Sequence, residues 1–376
     1  MGQEEDLKKE IESKAGVLRL KPNFVARPFY PGLNRLGLED ADAGERGAYV
    51  ERWIASCVES ASPNSTPNEG LSQILLGSPG SGLLLRDGLN ALPGQMLGEN
   101  YAKSHGNRFG ALAKVLDIGY PIQWHIHARK DDAWRYWKSN PKDEAYFFLS
   151  HPNSPGPVPY SHIGMHPGTT PEEVLEPLKR WRDDKVLDLS PAYRLNTGEG
   201  FHVPSGVPHS PGTALTLELQ EESDVYNMLQ ARYRGSITSK EDMLNGLPDE
   251  EAVVKLIDWE TSTDPRFYRK FHTLPEPVEG AHRQEVWVFQ PGRTKKFSGK
   301  ELRVRPGKKA RCSENGAHGI LVWKGEGRVN ASAAAAKHGL DEFFVTYGAA
   351  TQGYTVENTG DDTLVLYKLF GPDVNV

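Results

Sequence analysis

Polar and apolar residues alternate strictly through Gln123-Trp124-His125-Ile126-His127. That is the pattern of a half-buried strand, because successive side chains on a strand point to opposite faces. Residues 123, 125 and 127 therefore share one face, and Trp124 and Ile126 take the other. Upstream, 108–117 (RFGALAKVLD) predicts a strand that reaches this one through a turn, and 144–149 (EAYFFL) predicts a compact strand after it. The stretch between, 128–141, is polar with three interleaved aromatics and suits a short helix or an ordered loop. At 169–184 (TTPEEVLEPLKRWRDD) the text changes: a Thr cap, acids in the first turn and basic residues later predict a helical insert, broken or bent near Pro177. A further helix fits 249–258 (DEEAVVKLID) and would separate two halves.

From about Arg283 onward the runs EVWVFQ, GILVWKGEG, FFVTYG, QGYTVENTG and DTLVLYKLFG, punctuated by Gly and Asn-Thr-Gly turns, predict strands with few helices among them. Pro63–Gly70 and Gly77–Gly82 read as loops. Residues 1–15 form a charged, solvated lead-in that a helix would suit.

A chain of 376 residues is long for a single core, which favours two domains. We expect an N-terminal unit over 1–245, with its helical insert near 170–186, and a C-terminal unit over 246–376 built on the same β-fold. The 38 glycines and 27 prolines favour short strands joined by turns over a long helical bundle. A net charge of -6 with both signs mixed gives no broad basic surface for nucleic acid or an anionic membrane. Small molecules or proteins are the expected partners, and a monomer or homodimer is the expected state. Cys57 and Cys312 stand far apart outside any CxxC spacing, so no disulfide framework is expected. The charged start lacks the apolar core of a secretory signal, and no run approaches the roughly 18 apolar residues of a membrane span. A cytoplasmic protein is therefore expected. Met1-Gly2 does not make an acylation site, since Asp6 stands where Ser or Thr is needed.

Histidine nitrogens and a carboxylate oxygen suit a divalent transition metal. His125, Glu144 and His209 are the leading ligand candidates. His209 closes a Gly-x5-Pro-x-Gly-x2-His segment from Gly198 through Pro204 and Gly206, whose turn swings a strand back on itself. Gln123 and His127 compete for the neighbouring position, an amide being the weaker ligand. His151, His162, His166 and His202 read as packing or surface residues, and Trp124, Trp134 and Trp137 as packing aromatics that could also line a sugar pocket. His318 and His338 lack a matching carboxylate and turn, which makes the C-terminal unit a metal-free structural partner.

The HxH, the later Glu and the PxGxxH turn resemble the two halves of a cupin metal motif. The likeness narrows further. Lys114-Val-Leu-Asp-Ile-Gly-Tyr-Pro-Ile-Gln123-Trp-His125 resembles the Lys, Leu-Asp and Gln-x-His signature of the class I mannose-6-phosphate isomerases. Pro141-Lys-Asp-Glu144 is similar to that family's Gly-Lys-Thr-Glu, Gly198–His209 to its Gly-Asp-x-x-x-Val-Pro-x-Gly-x-x-His, and Leu217–Asp224 to its Glu-x-Gln-x-x-Ser-Asp. The ordered matches cover roughly residues 50–225. The resemblance implies an all-β fold of two cupin (jelly-roll) domains with a short helical insert. It also implies metal ligands at Gln123, His125, Glu144 and His209, a substrate-binding lysine at Lys114 or Lys142, and a divalent metal, zinc foremost, with manganese, iron or nickel as alternatives. The implied activity is aldose–ketose isomerisation of a sugar or sugar phosphate.

Two departures modify that expectation. The family carries a substrate-contacting arginine four or five residues after its Ser-Asp, whereas this chain continues Val225-Tyr226-Asn227-Met228 and reaches its first arginine at Arg232. An ester phosphate needs several donors, so a non-phosphorylated or atypical sugar is expected unless Arg232 or Arg234 compensates. His127 also stands where the family carries an acid. An Fe(II) oxygenase and a non-catalytic sugar-binding regulator are the alternative readings.

Overall fold

The computed structural model describes residues 2–77, 82–280 and 284–375. It is mostly antiparallel β-sheet with some helices, consistent with a cupin-like β fold. Residues 78–81 of the loop expected at 77–82 lie outside the described residues.

Two sheets enclose the histidine strand. A five-stranded sheet runs in the order Ala192–Arg194, Tyr160–Ile163, His209–Ser210, His125–Ile126, Asn227–Met228. A seven-stranded sheet runs His272–Thr273, Gly200–Val203, Glu144–Phe148, Thr216–Glu221, Ala111–Leu116, Ala48–Ile54, Asn23–Arg27. Alternation sorts the side chains as the sequence predicts. Trp124 and Ile126 turn outward into a cluster with Val174, Leu178, Trp181 and Val253, so the helices cover the back of the five-stranded sheet. His125 and His127 turn inward.

In the seven-stranded sheet both faces are buried. Ala113, Val115, Ala145, Phe147, Leu217 and Leu219 pack with Phe289, Leu321 and Leu369 of the C-terminal half. Lys114, Glu144, Tyr146 and Glu218, one position out of phase, line the opposite face and are also buried. The C-terminal half contributes a nine-stranded and a four-stranded sheet, sharing a core of Leu302, Ile320, Val329, Phe343, Val356 and Leu366. The N-terminal strand Val17–Lys21 pairs with Glu342–Val345, so the start of the chain completes a sheet made mostly of its end.

The insert helix Pro171–Arg180 is closed by a reciprocal box, in which Thr170 Oγ1 accepts from Glu173 N at 3.4 Å and Glu173 Oε2 accepts from Thr170 N at 2.8 Å. Pro177 lies inside this helix and does not end it. The second expected helix spans Glu250–Lys255, and the aromatic stretch forms Lys130–Trp137. One short insert understates the helix content. Leu85–Ala91, Pro93–Leu97 and Glu99–His105 are also helical, anchored in the core through Leu85, Leu89, Met96 and Leu97. Their Gly and Pro punctuation reads as turns because each helix is only one or two turns long.

Candidate metal centre

His125 and His209 are directly opposed across two antiparallel strands, the register pairing residue 125 with residue 209. His127 follows two residues along, and Gly206 helps to set its place, its backbone N donating to the His127 carbonyl at 2.7 Å with φ at +87°. Only a residue free to adopt that φ suits the turn. The result is a buried group in which one ring nitrogen from each of His125, His127 and His209 lies within 4.8 Å of the other two.

Each imidazole is oriented by a backbone carbonyl at Nδ1: Gln123 O at 2.7 Å for His125, Val225 O at 2.9 Å for His127 and Val207 O at 2.9 Å for His209. A proton held at Nδ1 leaves the Nε2 lone pair for a metal, the usual way a protein sets the ligating tautomer. Burial, with the neighbouring histidines, pushes His125 well below the ordinary range, and burial and Lys142 push His127 down to about 4. Neutral imidazole is the form that ligates.

Glu144 faces the histidines from the seven-stranded sheet, with Oε1 2.8 Å from His209 Nε2 and Oε2 3.4 Å from His127 Nε2. Tyr146 donates its hydroxyl to Glu144 Oε1. Burial opposes ionisation of Glu144, yet Lys142, His209 and His127 hold its carboxyl well below the usual range. His209 Nε2 has no aligned hydrogen-bond partner although it is buried. Such orphaned atoms are uncommon unless a water or ion completes them. The donor set of three imidazoles and one carboxylate fits a divalent transition metal.

Lys142 Nζ sits 2.6 Å from Glu144 Oε2, 3.1 Å from His127 Nε2 and 3.6 Å from Glu218 Oε1. Its charge is held by Glu144 and Glu218, which raise its pKa against burial. Lys114 lies one sheet row away, 3.8 Å from Glu51, 3.7 Å from Glu218 and 3.6 Å from Asp224. Gln123 is buried, but its amide nitrogen donates to Gln230 O at 2.9 Å. Arg232 is exposed on the short strand Arg232–Tyr233, and its side chain makes no ion pair or hydrogen bond with the histidine group among the described residues. The expected packing role of His202 agrees with its place among Phe271 and Phe297.

Four further groups join the site without having stood out in the sequence: Tyr146, Glu218, Glu51 and Arg27. Strand register places them. Glu218 pairs with both Lys114 and Tyr146, and Trp53, two residues after Glu51, pairs with Lys114. The alternating polar residues Thr216, Glu218 and Gln220 in TLELQE and the lone Lys114 in ALAKVL are the available signal, though a solvated face reads the same way.

No protein-family model matches the chain, and no curated protein matches it in sequence. Solved structures do. A protein of Archaeoglobus fulgidus assigned as a mannosephosphate isomerase is 16% identical, with a TM-score of 0.65 over 95% of this chain and 97% of its own. The fold is that of the phosphomannose isomerases. A single-residue mutant of phosphomannose isomerase from Salmonella typhimurium superposes with a TM-score of 0.68 at 14% identity, over 95% of this chain and 100% of the other. A mannose 6-phosphate isomerase bound with zinc and yttrium gives 0.64 at 14% identity, with the same coverage. The phosphomannose isomerase likeness therefore spans nearly the whole chain, beyond the ordered motifs of residues 50–225.

Proposed function

We propose that this chain is a metal-dependent aldose–ketose isomerase acting on a non-phosphorylated or atypical sugar. The observation that carries the reading is the buried group of His125, His127 and His209 facing Glu144 and Lys142, in a fold shared with phosphomannose isomerases. His125, His127, His209 and Glu144 would hold the metal, with zinc the first choice given the zinc-bound neighbour. His127 is preferred to Gln123 because an imidazole is the stronger ligand than an amide oxygen and its ring nitrogen lies with those of His125 and His209, with Nε2 3.4 Å from Glu144 Oε2.

When bound, the metal supplies Lewis-acid stabilisation of negative charge on the sugar oxygens. Lys142 keeps its ammonium beside the ligand set and presents a donor to a sugar oxygen that gains charge. Tyr146 and the Nδ1 carbonyl contacts fix the orientation of Glu144 and the imidazoles. Glu218, whose Oε1 lies 3.6 Å from Lys142 and makes no hydrogen bond, is the carboxylate best situated to carry a proton between neighbouring sugar carbons. Lys114 holds Glu51, Glu218 and Asp224 together.

The preference for a sugar without a phosphate rests on the arginines. Met228 stands four residues past Asp224, and Arg27, the guanidinium within the site, is committed to Asp224 and Glu51. We further propose two jelly-roll units meeting near residue 245, with Val17–Lys21 crossing to the second, in a cytoplasmic monomer or homodimer.

The test is proton exchange. Zinc-loaded protein in D2O, offered free aldoses and mannose 6-phosphate, is expected to place deuterium on a free sugar, read by NMR. Robust turnover of mannose 6-phosphate would overturn the free-sugar preference. Oxygen uptake with no deuterium in any aldose would overturn the isomerase.

A further inference from the structure

On the far side of the seven-stranded sheet from the histidines lies a cleft of about 1320 Å³, walled by that sheet and by the C-terminal strands. The sheet's alternation separates the two places: Lys114 faces the histidine side, and its neighbour Val115 lines the cleft. Eight arginine and lysine side chains line it against two acids, in a chain whose net charge is -6.

The two acids are already matched. Asp341 takes Arg52 at 2.6 Å, and Glu301 takes Arg303 at 2.5 Å and the Tyr367 hydroxyl at 2.9 Å. Arg35 is spent on Asp117 at 2.7 Å, and Lys309 on Glu357 at 3.1 Å. Arg305, Lys308, Lys324 and Lys337 remain, and none makes an ion pair or a side-chain hydrogen bond among the described residues. They come from three separate segments and converge on one concavity. Deeper in, Arg52 is buried and leaves its Nε without a partner. Like charges gathered without counterions repel one another, and a multivalent anion removes that repulsion.

We propose that this cleft binds a small molecule carrying two or more phosphate groups. Arginine and lysine together supply the charge-assisted donors that phosphate oxygens take, and the volume exceeds what a single phosphate needs. A nucleic-acid strand fits less well. It would have to run out of the cleft over an acidic protein, and Trp323, which lines the cleft, is half-buried with its indole N–H donating to Ser150 O at 3.3 Å. The inference does not depend on the isomerase reading.

Isothermal titration calorimetry with tripolyphosphate tests it, using wild type, His125→Ala and the double variant Arg305→Gln/Lys324→Gln. All four unpaired cations are exposed, so these replacements leave the core intact. Saturable one-to-one binding is expected, equal in wild type and His125→Ala and weakened about tenfold or more in the double variant. Orthophosphate at the same ionic strength should bind far more weakly. The proposal is overturned if there is no saturable binding, if the double variant binds as wild type does, or if His125→Ala abolishes the signal, which would put the anion on the bound metal. Tighter binding of single-stranded RNA than of tripolyphosphate would also overturn it.

Discussion

Arg27 grips both carboxylate oxygens of Asp224, with Nη2 to Oδ1 at 2.5 Å and Nη1 to Oδ2 at 3.0 Å, and turns its Nε toward Glu51 at 3.0 Å. The side chains of all three are nearly withdrawn from solvent, none more than 7% exposed. This pair ties the edge strand Asn23–Arg27 to the Ser-Asp segment that follows Thr216–Glu221. Among the described residues, Arg27→Met would leave Glu51 and Asp224 with Lys114 as their one cation. Removing one partner from a buried pair typically costs about 3–5 kcal/mol. Urea denaturation of the variant should show a loss of that order, while Arg232→Met, at an exposed position, should stay within about 0.5 kcal/mol of wild type.

Metal content separates the two buried histidine environments. His125 and His209 present nitrogens to one another across paired strands, whereas His318 has both nitrogens engaged, Nδ1 with Gly316 O at 3.1 Å and Nε2 with the Tyr354 hydroxyl at 2.8 Å. His125→Ala and His209→Ala are expected to lose nearly all bound zinc by elemental analysis, and His318→Gln to keep it. Zinc should raise the melting temperature of wild type, and a chelator should reverse the rise, because ligand binding to the folded state alone stabilises it.

Much of this site was legible because strand alternation and turn chemistry are local. Gln123–His127 shows its inward face in five letters, and the Gly206 turn returns the chain so that His209 meets His125. The C-terminal strands and the insert helix followed for the same reason. The buried charge row was not legible. Lys114, Glu218 and Tyr146 are neighbours only through the register of three strands distant in sequence, and a polar face buried against another sheet has the same period as one in water. The basic cleft was hidden similarly: an overall charge of -6 conceals a local excess assembled from both halves of the chain.

Lys142 touches the Glu144 carboxylate at 2.6 Å, and as a charged ammonium it has no lone pair to give a metal. Lys142→Met should therefore retain zinc while lowering sugar turnover by about a hundredfold or more, the effect expected when a donor to developing charge is removed. Zinc content and proton exchange on the same sample check this. Loss of metal along with activity would instead make Lys142 a support for Glu144.

Glu342 gives the fold a pH dependence away from the histidines. It is fully buried, its Oε1 accepting from Ala55 N at 3.1 Å and its Oε2 from Arg52 Nη2 at 3.0 Å, and burial still pushes its carboxyl up to about 7 from an ordinary 4.5. Between those two values the folded chain holds a proton that the unfolded chain has released. Stability therefore falls as pH rises through this window and levels off above it, by up to about 3 kcal/mol in all. Glu342→Gln keeps an acceptor for Ala55 N, and Arg52 keeps Asp341. The variant should show a flatter stability curve between about pH 5 and 7.5, and it should exceed wild type above about pH 8. Chemical denaturation across that range decides the matter, since parallel curves for the two proteins would assign the dependence to other groups.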